Sequence, residues 1–239
     1  MNFNNVNKIY LVILIVLVVL VTLKTVRYKP WYRYFYSASC TAPQAFPVHI
    51  RESYFITENP AEKIYIDYEG VNSGNSVWGE DPYFHKSNKK LLVPKHLVVK
   101  YIDYHSKQFF RDTILLPVEQ IKTNFKKAIQ KNEGIDIYHF GENKKGMTFL
   151  VGFANDGYII VWQRSKTEDN VILKTRLHPK QPERDDLTYS GETFTFQEYY
   201  DYAFNGIADS VPEESDNEPQ PYARYADSLA LPKHSYLNY

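Results

Sequence analysis

Cysteine is almost missing from this chain. Cys40 is the only one in 239 residues, which excludes an intramolecular disulfide framework. An excess of either charge is missing too: 28 Lys and Arg balance 28 Asp and Glu, so no net field gathers nucleic acid, and nucleic acid is set aside as a partner. Methionine is scarce at two residues, against 21 Tyr and 14 Phe. That bias suits pleated, half-buried surfaces better than helix bundles and points to an all-β or α+β fold. Several chemical signatures are absent as well. There is no H-E-x-x-H, no paired Cys-x-x-Cys, no Asp-rich calcium loop, no G-x-S-x-G turn, no G-x-G-x-x-G and no P-loop; no cofactor and no metal is expected.

One long hydrophobic run is present. Residues 9–26 carry a single charge, Lys24, close to the end. At ~1.5 Å per residue this stretch is roughly 27 Å long, close to the hydrocarbon thickness of a bilayer. Tyr10 on one side and Tyr28, Trp31 and Tyr32 on the other stand where interfacial aromatics are expected. A cleaved signal peptide would need small residues soon after a shorter apolar core. Lys24 to Trp31 offer none, so an uncleaved anchor following a short flank, residues 1–8, is the expectation. Ser37, Ala38, Ser39 and Cys40 form a weak lipoprotein-like box, but basic and aromatic residues separate it from the apolar run. Lys8 alone precedes the span while Lys24 stands near its end and Arg27, Lys29 and Arg33 follow, a distribution that favours a cytoplasmic C-terminal domain.

With the span and a polar tail removed there is room for one domain. Residues 29–206 are read as that domain and 207–239, which turn to Asp, Glu, Ser and Pro without periodicity, as a disordered tail. The aromatic run 31–39 reads as a first strand, 48–56 as a second and 63–68 as a third, and residues 70–90 as a long polar loop around Trp78. Residues 97–104 and 108–115 form a hairpin. So do 147–154 and 158–164, which flank Asn155, Asp156 and Gly157, the strongest short hairpin signal in the chain; 171–177 follows as a strand. A helix over 117–131 is marked by Pro117, an apolar stripe through Val118, Ile121, Phe125, Ala128 and Ile129, and Gly134 beyond its end. A second starts at Thr195, where Thr195 and Glu198 are spaced as a capping box. The sum is a mainly β, α+β domain: an antiparallel β-sandwich-like body with two peripheral helices, preceded by one transmembrane helix.

These features in this order resemble a bacterial family, domain-of-unknown-function family 2931. The resemblance runs over about residues 31–176. It rests on Thr41-Ala42-Pro43, Phe46-Pro47-Val48, Tyr54-Phe55, Trp78-Gly79 and Pro94-Lys95-His96-Leu97, then Phe109-Phe110, Leu115-Leu116-Pro117, Val151 to Ala154, Gly157 and Val161-Trp162. Many members look like short envelope lipoproteins with the domain outside the inner membrane, which implies a periplasmic domain here. This chain departs from that pattern, because Cys40 lies inside the first strand and not at the end of the apolar segment. The resemblance implies a fold and a compartment and no mechanism.

Glu80, Asp81 and His85 lie within six positions of one loop with His96 nearby, and carboxylate with imidazole is what zinc or a general base needs. A solvated loop is the plainer reading. Asp103 and His105 alternate at a hairpin end, where an aspartate could orient an imidazole; an ordinary hairpin end explains them as well. Trp162 ends an apolar run and reads as core. Trp78, set among Gly, Asn and Ser, either tucks under the domain or stands at a binding surface. The functional expectation is a non-enzymatic binding domain of the envelope with a protein partner, Trp78, Glu80, Asp81 and His85 being its contact residues. A toxin-blocking immunity protein is one concrete form, and a periplasmic hydrolase using the loop carboxylates and His85 is the alternative.

Overall fold

The computed structural model describes residues 4–43, 45–68, 71, 78–80 and 85–207, and the chain divides into two units, Met1–Arg33 and Tyr34–Tyr239. In the first, α1 (Asn5–Tyr28) is apolar on every side and none of its residues is buried. A helix without a polar stripe has no face suited to water, and this one is long and apolar enough to cross a membrane. It stops where Lys29 turns left-handed, φ 51°, and its N–H closes on the Thr25 carbonyl. Pro30 then opens a 3-10 turn, Pro30–Tyr32. The strand expected from residue 31 therefore begins with a turn. Proline supplies the preset φ of a first helical position and has no N–H to give a ladder.

Extended chain starts at β1 (Arg33–Tyr34) and continues through β2 (Tyr36–Thr41), β3 (Val48–Thr57), β4 (Lys63–Tyr65), β5 (Leu91–Leu92), β6 (Pro94–Asp103) and β7 (Gln108–Leu115). After α2 (Val118–Gln130) come β8 (Ile135–His139), β9 (Glu142–Phe153), β10 (Tyr158–Arg164) and β11 (Asp169–Arg176), then β12 (Thr188–Tyr189), β13 (Glu192–Thr193) and α3 (Phe196–Ala203). Two sheets carry the body. One is antiparallel in the order β4-β3-β6-β7; the other runs β11-β10-β9-β2, with β8 also on β9. Phe55, Leu97, Val99 and Tyr101 from the first share one apolar cluster with Phe149, Val151, Ile159 and Val161 from the second, which is the sandwich-like, mainly β arrangement that the alternating pattern implies. Ile121, Phe125 and Ala128 of α2 join this cluster, so the helix stripe completes the main core.

Local signals explain most of the register. Asp156 and Gly157 both take positive φ, 62° and 78°, as the two central residues of a I′ turn must, and Phe153 pairs with Ile159 across it. Glu198 and Thr195 cap α3 reciprocally: the Thr195 hydroxyl accepts from the Glu198 N–H at 3.3 Å, and the Glu198 carboxylate accepts from the Thr195 N–H at 2.8 Å. Tyr199 and Tyr200 of α3 and Phe204 just after it pack on Ile102 and Phe109, which form a separate cluster with them. Asp186, 2% exposed, accepts from Lys100 at 2.9 Å and Arg111 at 3.4 Å. Burial alone would raise its pKa; the hydrogen bonds from Lys100 and the Glu183 N–H, with the Lys100 and Arg111 charges, hold the carboxyl below its ordinary value.

Two features come from pairings distant in sequence. β2 lies parallel to β9, from Tyr36 opposite Met147 to Thr41 opposite Gly152. β8 and the first residues of β9 form a further hairpin, Ile135 opposite Gly146 to His139 opposite Glu142, which the sequence pattern did not mark. The tail beyond Ile207 lies outside the described residues.

Candidate functional site

β2 organises the candidate site because its residues alternate between two environments. Tyr36, Ala38 and Cys40 belong to the sandwich core, which leaves Ser37, Ser39 and Thr41 on the other face. The loop carrying the residues singled out from sequence is fastened to this polar row at both ends. At one end the Gly79 N–H donates to the Thr41 hydroxyl at 3.1 Å, and Arg164 donates from Nη1 to the Gly79 carbonyl at 3.1 Å. At the other, Ser37 Oγ and His85 Nδ1 are 3.1 Å apart. The His85 carbonyl accepts from the Tyr138 N–H at 2.8 Å, and the Ser87 N–H returns a bond to the Tyr138 carbonyl at 3.0 Å.

Trp78 sits at the first of these anchor points, half-buried. Its ring stands edge-on to Trp162, centroids 5.6 Å apart, against the small cluster of Leu150, Ile160 and Trp162. Gly152 makes the space: a Cβ there would lie 2.6 Å from the nearest atom of each indole. A polar sequence neighbourhood thus conceals a tryptophan that is packed onto the sheet.

His85 lines a recess of about 270 Å³ together with Ser37, Lys63, Tyr65, Asp67 and Lys89. The recess lies where both sheets end, since β2 and β4 are each the last strand of their sheet order. Asp67 closes part of the β2 edge: its N–H donates to the Ala38 carbonyl and its carbonyl accepts from the Cys40 N–H, both at 3.0 Å. Tyr65 is 70% exposed at the rim. Cys40 is buried behind this edge with its thiol 3.4 Å from the Asp67 carbonyl. Burial, and secondarily the Asp67 charge, push its pKa up, which keeps it a thiol and a poor nucleophile.

The residues expected to act together are therefore dispersed. Glu80 is exposed and does not line the recess; Asp81 lies outside the described residues. His96 is on β6, in the other sheet, opposite Ile56 and Leu115. Among the described residues no group of three or more His, Cys, Asp and Glu side chains is placed to hold a metal ion. Asp103 and His105 serve their turn separately: Asp103 Oδ1 accepts from the Ser106 N–H at 2.7 Å, and His105 Nε2 lies 2.7 Å from the Ala45 carbonyl. Sequence reasoning missed Ser37, Lys63, Tyr65 and Asp67. The signal for Ser37 was available, because small polar and apolar residues alternate through β2.

The profile of a protein family described as Protein of unknown function (DUF2931) matches residues 24–222. No curated protein and no solved structure matches the chain.

Proposed function

We propose, from the premise that the chain belongs to the DUF2931 family of proteins of unknown function, that it is a single-pass protein of the bacterial inner membrane. Its sandwich stands in the periplasm and binds a protein partner without catalysing a reaction.

The observation that carries the tether is the position of Cys40. Lipid attachment at this residue requires removal of everything before it. That cut would delete Tyr36, which is 1% exposed and donates its hydroxyl to the Leu92 carbonyl at 2.6 Å. It would also delete the first four of the six β2–β9 pairings. A core strand is a poor leader sequence, which supports α1 as the retained anchor. The periplasmic side is supported by the resemblance to envelope proteins and runs against the four basic residues at and beyond the end of the span.

The binding reading rests on the recess between the two sheet edges. Its lining is mixed: a hydroxyl, an imidazole, lysines, a carboxylate and an exposed Tyr, set beside the ends of two sheets. Such a surface suits an extended segment of a partner protein, which can use edge backbone groups for affinity and side-chain recesses for specificity. An immunity protein capping a toxin is a form that this architecture accommodates. One contact favours the hydrolytic alternative, the Ser37–His85 pair. Yet Ser37 is a rung of a straight strand and not a hydroxyl raised on a sharp turn, and the neighbouring thiol is protonated.

The test is site-specific photocrosslinking in intact envelopes. A photoreactive residue in place of Tyr65 is expected to give a discrete protein adduct. The same group in place of Tyr202, an exposed residue of α3 away from the recess, gives none. Equal adducts from both positions, or none from position 65, would count against the recess as the contact surface.

A further inference from the structure

We propose that the tip of the β8–β9 hairpin is a second membrane contact, in which Phe140 enters the headgroup region of an anionic bilayer. The proposal rests on α1 spanning the membrane, as read above.

Phe140 is 77% exposed. It takes a positive φ, 45°, followed by Gly141 at 87°, so it occupies the first central position of a tight hairpin turn. That position normally holds Asn, Asp or Gly, because other side chains are strained there. A large apolar residue placed at a tip, in a conformation it disfavours and without burial, needs a reason other than packing. Tyr138, 41% exposed on β8, adds a second aromatic.

Within the sandwich this tip and the start of β2 lie at one end. α1 ends at Tyr28 and β2 begins at Tyr36; eight residues reach at most roughly 28 Å. β9 runs parallel to β2, and Tyr36 is opposite Met147. The residues of β9 before Met147, back to Glu142, continue past the beginning of β2 by roughly 16 Å at the rise of a strand. They extend towards the side from which the chain arrives. At the other end of β2 the chain crosses within residues 42–47 to Val48, which pairs with Asp103, so the turn containing Ser106 lies at the far end.

The charge around the tip fits an anionic surface. Lys144 pairs with Glu142, and Lys145 with Asp136 at 2.7 Å, which leaves the hairpin itself neutral. Lys86, Lys89 and Lys90 are exposed in the adjoining segment. That segment is held to the hairpin by the Ser87 carbonyl, 2.9 Å from His139 Nδ1, and Lys90 lies over the Phe35 ring at 5.7 Å. Lysines beside exposed aromatics are the composition that anionic headgroups attract.

The experiment uses the full-length chain in vesicles of phosphatidylcholine and phosphatidylglycerol. An environment-sensitive fluorophore is attached to Phe140→Cys, or to Ser106→Cys as the distal control; buried Cys40 stays unlabelled. The expected result is blue-shifted emission at position 140, quenched by lipids carrying a shallow spin label, and water-like, unquenched emission at position 106. Water-like emission at position 140 in vesicles that retain the chain through alkaline washing overturns the hairpin contact and leaves the span standing. Equal quenching at both positions overturns it as well. Loss of the chain from the vesicles on washing removes the span and this proposal together.

Discussion

Replacing Gly152 by alanine is expected to destabilise the sandwich by about 2–4 kcal/mol, measured by denaturant unfolding, and to shift tryptophan emission to longer wavelength. A Cβ at this position meets ring atoms of Trp78 and Trp162 at 2.6 Å each. Trp162 is fully buried, so the half-buried Trp78 is the ring that must leave. Overpacking of this kind costs about 1–3 kcal/mol, occasionally more, and the displaced indole forfeits its contacts in addition. Trp78→Ala should itself cost about 2–3 kcal/mol, below the 3–5 typical of a fully buried Trp. The two changes are coupled because they compete for one space. With Trp78 already truncated, Gly152→Ala should be milder, and the double variant more stable than the sum of the single effects allows. Strict additivity would mean that Trp78 does not pack where it is placed. A thermal midpoint unchanged by Trp78→Ala would mean the same, and would return the residue to the role of a free contact surface.

The second large effect is expected at Arg164, replaced by methionine to keep the apolar stem. Its guanidinium is 1% exposed, donates from Nε to Asp169 at 2.9 Å and from Nη1 to the Gly79 carbonyl at 3.1 Å. Breaking a buried pair usually costs about 3–5 kcal/mol, because the remaining charge stays buried. The Asp169 side chain is 26% exposed and can rehydrate in part, which places the loss near the lower end, about 3 kcal/mol. Arg164→Lys keeps a charge but not the planar fork, and should fall in between. Arg164 also holds the loop segment at Gly79, so the methionine variant should be nicked earlier by protease between residues 78 and 85. A loss below about 1 kcal/mol with unchanged nicking would show that the segment is held by other means.

Features with local causes are legible in the sequence, and features with non-local causes are not. The hairpin at Asp156 and Gly157, the cap at Thr195 and Glu198, and the stripe of α2 were legible because a few adjacent residues suffice to specify each. The parallel β2–β9 ladder was not, since its partners are more than a hundred positions apart and periodicity says nothing about which strands meet. The β8–β9 hairpin was obscured by its own turn, where Phe140 occupies a position at which Asn or Asp would have signalled the bend. Ile135 and Ile137 alternating with Asp136 and Tyr138 did carry the strand signal. Trp78 shows the limit most plainly: its neighbours in sequence are polar, and the glycine that makes room for it lies far along the chain on β9. His85, singled out beside Glu80 and Asp81, lies next to a residue of another element. Its partner is Ser37 on β2, while the carboxylate at Glu80 stands apart.

The proposed placement has α1 holding the sandwich at the periplasmic face, and protease added to intact spheroplasts tests it most directly. With an epitope tag at the N-terminus, the expected result is digestion of the domain from outside. A short tagged fragment should remain in the membrane pellet after an alkaline wash, because residues of α1 are protected by the bilayer. A domain that survives until the membrane is lysed, or a chain that washes off whole, would contradict it.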